Sequence, residues 1–333
     1  MAHQGKAARH IVRGMLRVRY KRLKRRLRVF SRGILWRIGR ILAPFILKAL
    51  RSLPRDKLHA IGTGFGSAWF HLIASSRGLG LDNLDRVFGK SVPRGQKEYF
   101  CRESFKNILK CMLDFYYFSF HPEEIESHIL ADPEAEERVR AILDKGRGAL
   151  VFSAHIGNWE LLASYMGRIA PINLLTRRHK DFNRYVRDCR ARHHVDTIYD
   201  DSMTSMKKIL RRLRQGEMVG LIIDRNLRHV GGMMVDFMGS PAFTPYYPVK
   251  LALKTGAPVI GIFLLREGPF YRLHIEDPIE VKMLDDIETT YRVYTHAFLK
   301  TVEKHIRTHP GQWFWAHKRW SRPKGTVTFP PQA

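Results

Sequence analysis

From residue 149 onward, short apolar runs recur with helical stretches between them, and this alternation limits the fold more than any other feature of the chain. The runs are ALVFSA (149–154), INLLT (172–176), VDTIY (195–199), MVGLIID (218–224), PVIGIFLL (258–265) and YRLHIE (271–276). Helical stretches are expected near 158–168, 181–193, 203–214 and 246–255. Strands alternating with helices predict an α/β fold with a mainly parallel central sheet flanked by helices. Only GPF follows Glu267 before the last run, which predicts a closing hairpin, and residues 287–308 read as a final helix.

Upstream, residues 58–76, 77–92 and 94–120 read as helices. The third carries Phe100, Phe105, Phe115, Tyr116, Tyr117, Phe118 and Phe120, a stripe suited to core packing or to an acyl-chain groove. The first 32 residues form a basic arm. Within it, Leu16, Tyr20, Leu23, Leu27 and Phe30 fall at helical spacing among Arg and Lys, the pattern of a basic amphipathic helix. Residues 34–53 (ILWRIGRILAPFILKALRSL) are apolar but interrupted by Arg37, Arg40, Lys48 and Arg51. That interruption predicts a segment lying in a membrane interface, with a single anchor over 33–53 as the alternative. The expected divisions are 1–57, a membrane-associating region; 58–325, a catalytic domain; and 326–333, a short tail.

Charge narrows the partners. The chain has 58 Lys and Arg against 31 Asp and Glu, a formal net charge of +27. Seventeen of the basic residues lie in residues 1–55, which contain no acidic residue. A concentrated basic arm beside an interrupted apolar segment suits an anionic membrane surface. Nucleic acid is the weaker partner, because zinc-ligand spacing and RNA-recognition signatures are both missing. The basic body also suits encounter with an acidic carrier protein. Three cysteines without a CxxC pair, Cys101, Cys111 and Cys189, fit a reducing compartment.

The segment VFSAHIGNWE (151–160) carries the chemistry. His155 follows a buried strand and precedes a helix, and ligands of open α/β sheets bind outside the carboxyl ends of strands. Glu160, folding back from the first helical turn, would fix the imidazole tautomer, leaving the other nitrogen to accept a proton from an alcohol. Backbone N–H groups near Gly157 and Asn158 would favour a developing oxyanion. The segment lacks a Gly-x-Ser-x-Gly elbow, and Ser153 precedes the histidine on the strand, so direct attack by an acceptor hydroxyl is expected. Arg177 and Arg178 stand at a strand end and suit phosphate or carboxylate. Asp224 ends another strand, followed by Arg225. His193, His194 and Asp196 do not follow a metal-ligand spacing, so no metal is expected.

SAHIGNWE resembles the HX4(D/E) motif of the lipid A late acyltransferases, the lauroyl and myristoyl acyltransferases within the wider glycerolipid acyltransferase superfamily. The resemblance extends to Arg77, Asn83 and Leu84 in RGLGLDNL, and to Phe237, Gly239, Pro241, Ala242, Thr244 and Pro245 in VDFMGSPAFTP. It continues through TGAPVI (255–260) and HPGQWFWAHKRW (309–320), covering roughly residues 60–322. It implies a glycerolipid-acyltransferase-like fold and transfer of a fatty acyl chain from acyl carrier protein, or coenzyme A, to a hydroxyl of a lipid A precursor. The expected location is the cytoplasmic face of the inner membrane. The thioester is a co-substrate, and no cofactor is implied. His155 matches the general base and Glu160 its partner, while Arg177 or Arg178 matches a substrate-binding position and Asp224 an acidic one. Asp224-Arg225 and Asp181-Phe182 depart from the family's usual Asp-Gln and Asn-Pro, which leaves open an acceptor such as a lysophospholipid, a phosphatidylinositol mannoside or an amino-acid lipid. The rival class is a non-enzymatic basic membrane- or nucleic-acid-binding protein.

Overall fold

The computed structural model describes residues 42, 44–177, 183–200, 203–226 and 231–321. The basic amphipathic helix expected at 16–30, Arg178, Asp181, Phe182 and the short tail lie outside the described residues. The chain divides into two units between Pro54 and Arg55. In the first, residues 44–51 form helix α1, with Leu42, Phe45 and Ile46 exposed. Among the described residues, no helix is long and apolar enough to cross a membrane.

The second unit opens with three helices, α2 (Arg55–Leu72), α3 (Ala74–Phe88) and α4 (Arg94–Phe118). Gly62 and Gly66, one turn apart, bring α2 close to α4. A Cβ on Gly66 would lie 2.5 Å from Lys106 Cα, and one on Gly62 would lie 3.2 Å from the backbone nitrogen of Lys110. Phe105, Phe115 and Phe118 of the aromatic stripe are buried as core. A short strand β1 (Ile129–Leu130) and helix α5 (Pro133–Leu143) follow. Neither was legible, because two residues carry no period and α5 buries only Ala135 and Val139. Asp132 nevertheless caps α5, accepting from the Glu134 N–H at 3.0 Å.

The α/β portion then runs β2 (Ala149–Ser153), α6 (Trp159–Ile169), β3 (Ile172–Thr176), α7 (Asn183–Ala191), β4 (Val195–Tyr199), α8 (Met203–Arg214) and β5 (Met218–Ile222). It continues through β6 (Gly232–Phe237), β7 (Ser240–Pro245), α9 (Tyr247–Thr255), β8 (Val259–Glu267), β9 (Phe270–Ile275) and α10 (Ile287–Thr308). Seven strands form one sheet in the order β1-β9-β8-β2-β5-β3-β4. The five strands β8, β2, β5, β3 and β4 are parallel, while β9 pairs antiparallel with β8 in the expected hairpin. Strand β2 is covered on both faces. Leu150 and Phe152 enter one apolar cluster, and Ala149 and Val151 enter the other. Burial on both faces is why this strand reads as an unbroken apolar run rather than an alternating one.

The strands and helices expected after residue 149 are present. Hairpin β6–β7, unexpected, stands apart from the main sheet. Its turn residues, Met238 (φ 56°) and Gly239 (φ 81°), both take positive φ, the backbone of a primed turn matched to strand twist. The prolines Pro241 and Pro245 in β7 hide the strand signal from a reading of the sequence alone.

Two histidines are held neutral by this packing. Burial pushes His305 down to about 4 despite its Glu276 partner, and pushes His317 down to about 3. Both bind protons more readily in the unfolded chain, so stability is present above an ordinary histidine pKa and falls as pH drops below about 6.5. Urea midpoints measured at pH 7, 5.5 and 4.5 are expected to decrease in that order, and His317→Phe is expected to flatten the slope.

Candidate active site

The parallel pairing of β2 with β5 sets the site. Its register aligns Ala149 with Met218 and Ser153 with Ile222. Carried two residues past the strand ends, the same offset places His155 beside Asp224. The Ile223 N–H continues the ladder to the Ser153 carbonyl at 3.1 Å. Asp224 is wholly buried. Its carboxylate accepts from the His155 backbone N–H at 2.9 Å, from His155 Nδ1 at 2.7 Å and from Trp313 Nε1 at 2.8 Å. Burial alone would raise the Asp224 pKa, but the hydrogen bonds from His155 and the Trp313 indole hold it well below the usual carboxylate range.

An ionised carboxylate only accepts, so Nδ1 of His155 carries the hydrogen and Nε2 of the neutral ring keeps its lone pair. Asp224 occupies one edge of the imidazole. The ring lines a cleft of about 180 Å³, and its side chain is 17% exposed. Trp159 packs edge-on to it at 5.0 Å. The apolar part of the cleft is built by Trp159, Leu174, Leu175, Ile222 and Tyr247, and its cations are Arg177, Arg190 and Arg225. Neither serine nor cysteine lines it among the described residues. Ser153 is buried on its strand, and burial pushes the Cys101 and Cys111 thiols up to about 12 and about 11. An imidazole oriented by Asp224 beside this cleft, with neither serine nor cysteine in its described lining, suits proton abstraction from a hydroxyl whose oxygen then attacks an acyl group.

Two expectations are corrected. Glu160 does not fold back onto His155. It lines the cleft, but its carboxylate is engaged side-on by Arg190, through Nε at 2.9 Å and Nη2 at 2.7 Å. Arg190 comes from α7 and its partner from the first turn of α6, so the pair fastens two helices beside the cleft. The bidentate guanidinium satisfies both carboxylate oxygens, while Asp224 already holds the imidazole. The N–H groups of Gly157 and Asn158 are likewise committed. Gly157 donates to the Gln312 carbonyl at 3.3 Å and Asn158 to the Leu264 carbonyl at 2.8 Å. Asn158 is fully buried and caps α6, accepting from the Leu161 N–H at 3.1 Å. Gly157 instead allows close approach of its backbone to β8: with φ 57°, a Cβ there would lie 2.0 Å from the Leu264 carbonyl oxygen.

Of the remaining expected residues, Arg177 and Arg225 line the cleft and are exposed, while Arg178 lies outside the described residues. Sequence reasoning missed Arg190 altogether. It noted Trp313 and His317 as part of the C-terminal block without placing either beside Asp224. The similar blocks converge here. Asn83 Nδ2 donates to the carbonyls of Trp315 at 2.7 Å and His317 at 2.9 Å. Arg319, fully buried, donates to the Phe243 carbonyl at 2.6 Å and to Thr244 Oγ1 at 2.7 Å, with its guanidinium over the Phe237 ring. The segment Trp313–Trp315 is thereby held, and with it the indole that reaches Asp224.

Residues 22–322 match the bacterial lipid A biosynthesis acyltransferase family. The chain belongs to that family. It is also 25% identical over 183 residues to a phosphatidylinositol mannoside acyltransferase of Mycolicibacterium smegmatis, covering 54% of the chain and 58% of that protein. A protein of the same description in Mycobacterium tuberculosis is 25% identical over 189 residues, 55% of the chain and 58% of its own length. The match thus spans less than two thirds of either mycobacterial relative. The lipid A biosynthesis palmitoleoyltransferase of Escherichia coli is 22% identical over 287 residues, covering 82% of the chain and 88% of that protein. The lipid A acyltransferase family membership agrees with the resemblance seen in the motif blocks.

Because Arg190 is itself buried, replacing Glu160 by Gln leaves a cation without its counter-charge. Glu160→Gln is expected to destabilise the fold by about 3 kcal/mol, read as a drop in the urea midpoint. Gly157→Ala is expected to cost roughly 1–3 kcal/mol or more, since strain and a backbone clash act together.

Proposed function

We propose that this protein transfers a fatty acyl chain from a thioester carrier, acyl carrier protein or coenzyme A, to a hydroxyl of a glycolipid at the cytoplasmic face of the bacterial inner membrane. The observation that carries this reading is the Asp224–His155 hydrogen bond, which leaves Nε2 as a base on the cleft side of the ring. The acceptor hydroxyl gives its proton to Nε2 as its oxygen bonds to the thioester carbonyl carbon. The carbon–sulfur bond then breaks, and the proton on Nε2 passes to the departing sulfur. The products are an ester and a free thiol. Asp224 stabilises the imidazolium that forms between the two transfers and fixes the ring's orientation, as the carboxylate of a triad does. Base catalysis of this kind contributes on the order of 10²–10⁴ in rate.

The apolar wall of Trp159, Leu174, Leu175 and Ile222 suits an acyl chain, and Arg177 and Arg225 suit an anionic headgroup. Family membership favours a lipid A precursor as acceptor. The mycobacterial relatives supply a second reading, a phosphatidylinositol mannoside or similar glycolipid. The basic N-terminal arm and the exposed Leu42, Phe45 and Ile46 support attachment to an anionic membrane as a peripheral protein.

The test is incubation of the detergent-solubilised protein with labelled acyl thioesters and a panel of lipid acceptors, with products identified by mass spectrometry. His155→Ala is expected to abolish transfer while the protein folds and still binds membranes. Asp224→Asn is expected to lower turnover by about 10²–10⁴, because an amide can hold the opposite tautomer. Near-normal turnover in the His155 variant refutes the assignment.

A further inference from the structure

A second cleft, of about 600 Å³, shares no lining residue with the cleft at His155. Its walls come from α4, the β8–β9 turn and the residues following α10. On α4, Tyr99, Glu103, Lys106 and Lys110 share one helical face, and Arg266 and His309 add to the polar lining. Backbone and side-chain bonds join its lining to the His155 loop. The Gly157 N–H bonds to the Gln312 carbonyl, Phe314 donates to the His155 carbonyl at 3.0 Å, and Asn107 Nδ2 bridges the Gly157 and Gln312 carbonyls at 3.2 Å each.

The cations of this second cleft exceed its anions. Glu103, the carboxylate in the lining, is engaged by Lys106 at 2.7 Å. Asp114, buried behind the lining, serves both Arg55 at 2.9 Å and Arg266 at 3.0 Å. Among the described residues, no carboxylate pairs with Lys110. Its stem is pressed against α2 at Gly62, and its ammonium is half-buried beside Arg266, both of which push its pKa down. A half-buried, unpaired ammonium next to a guanidinium gains from an incoming anion. The cleft is several times larger than a free ion needs, and Tyr99, half exposed, and Phe100 give it an aromatic edge.

We propose that this second cleft binds an organic phosphate, with Lys110 and Lys106 as the phosphate ligands, the charge of Arg266 behind them and Tyr99 against the adjoining organic moiety. Phosphate is the group that joins a thioester carrier to its acyl-bearing arm, and it also decorates glycolipid headgroups. Naming these as sources rests on the acyl-transfer reading; the binding itself does not.

The experiment is calorimetric titration of the full-length, detergent-solubilised protein with inorganic diphosphate, with coenzyme A and with a phosphorylated glycolipid beside its dephosphorylated form. Saturable binding of diphosphate and coenzyme A is expected, weakened about tenfold or more by Lys110→Ala and restored by Lys110→Arg. His155→Ala is expected to leave that binding unchanged. Lys110-dependent binding of the phosphorylated glycolipid but not of coenzyme A supports the site and assigns it to the acceptor. Failure of all three phosphate ligands to bind, or binding indifferent to Lys110→Ala and Lys106→Ala in folded protein, overturns the proposal. Loss of the acyl-transfer reading would instead appear as turnover surviving in His155→Ala with phosphate binding intact.

Discussion

A carboxylate without solvent must be supplied with hydrogen-bond donors, and the three donors that reach Asp224 organise this fold's working edge. The backbone and ring of His155 come from the end of β2, the carboxylate from the end of β5, and the Trp313 indole from the segment after α10. Removing any one leaves a buried charge partly unsatisfied, a costly state in a low-dielectric interior. The same three contacts hold the imidazole in one tautomer. The requirement that stabilises the edge of the sheet thus also prepares the base.

Support for this arrangement is layered outward through polar contacts with buried partners. Asn83 and Arg319 tie down the segment carrying Trp313, one through α3 and the other through hairpin β6–β7. Beneath the His155 loop, Asn158 ties the start of α6 to Cys111 and Tyr271, and Tyr271 in turn donates to Asp114 at 2.5 Å. Arg55, His59 and Arg266 complete that second buried carboxylate's partners. Two buried aspartates, each with several donors, are therefore linked to the loop that carries His155. Such networks confer rigidity only when every member is satisfied, and both carboxylates meet that condition.

The Glu160–Arg190 pair shows how sequence proximity misleads. Five positions after the histidine, Glu160 is the nearest downstream carboxylate in the chain, and a loop preceding a helix allows it to turn back. The chain instead supplies Arg190 from α7 with a planar fork that meets both oxygens. Asp224, 69 positions away, reaches His155 because a parallel register brings it there. Helix-terminal N–H groups were misjudged for the same reason. Their spare donors were predicted to face substrate, whereas β8 and the C-terminal segment pass close enough to consume them.

The order of strands and helices after residue 149, the closing hairpin at 268–270 and the placement of His155 at a strand's end were all determined by the sequence. Apolar runs buried on both faces and glycine turns are local signals, and each element needs only its own residues to announce itself. Arg177 and Arg225, which line the cleft, and Asp224, buried against His155, were also legible, because strand ends in a parallel sheet share one edge. Hairpin β6–β7 was not, since prolines mask its strands. Which carboxylate meets the imidazole was decided by tertiary structure alone. That choice depends on β5 inserting between β2 and β3 in one register, a long-range pairing whose energy is distributed over two apolar clusters and left no mark on the residues around His155.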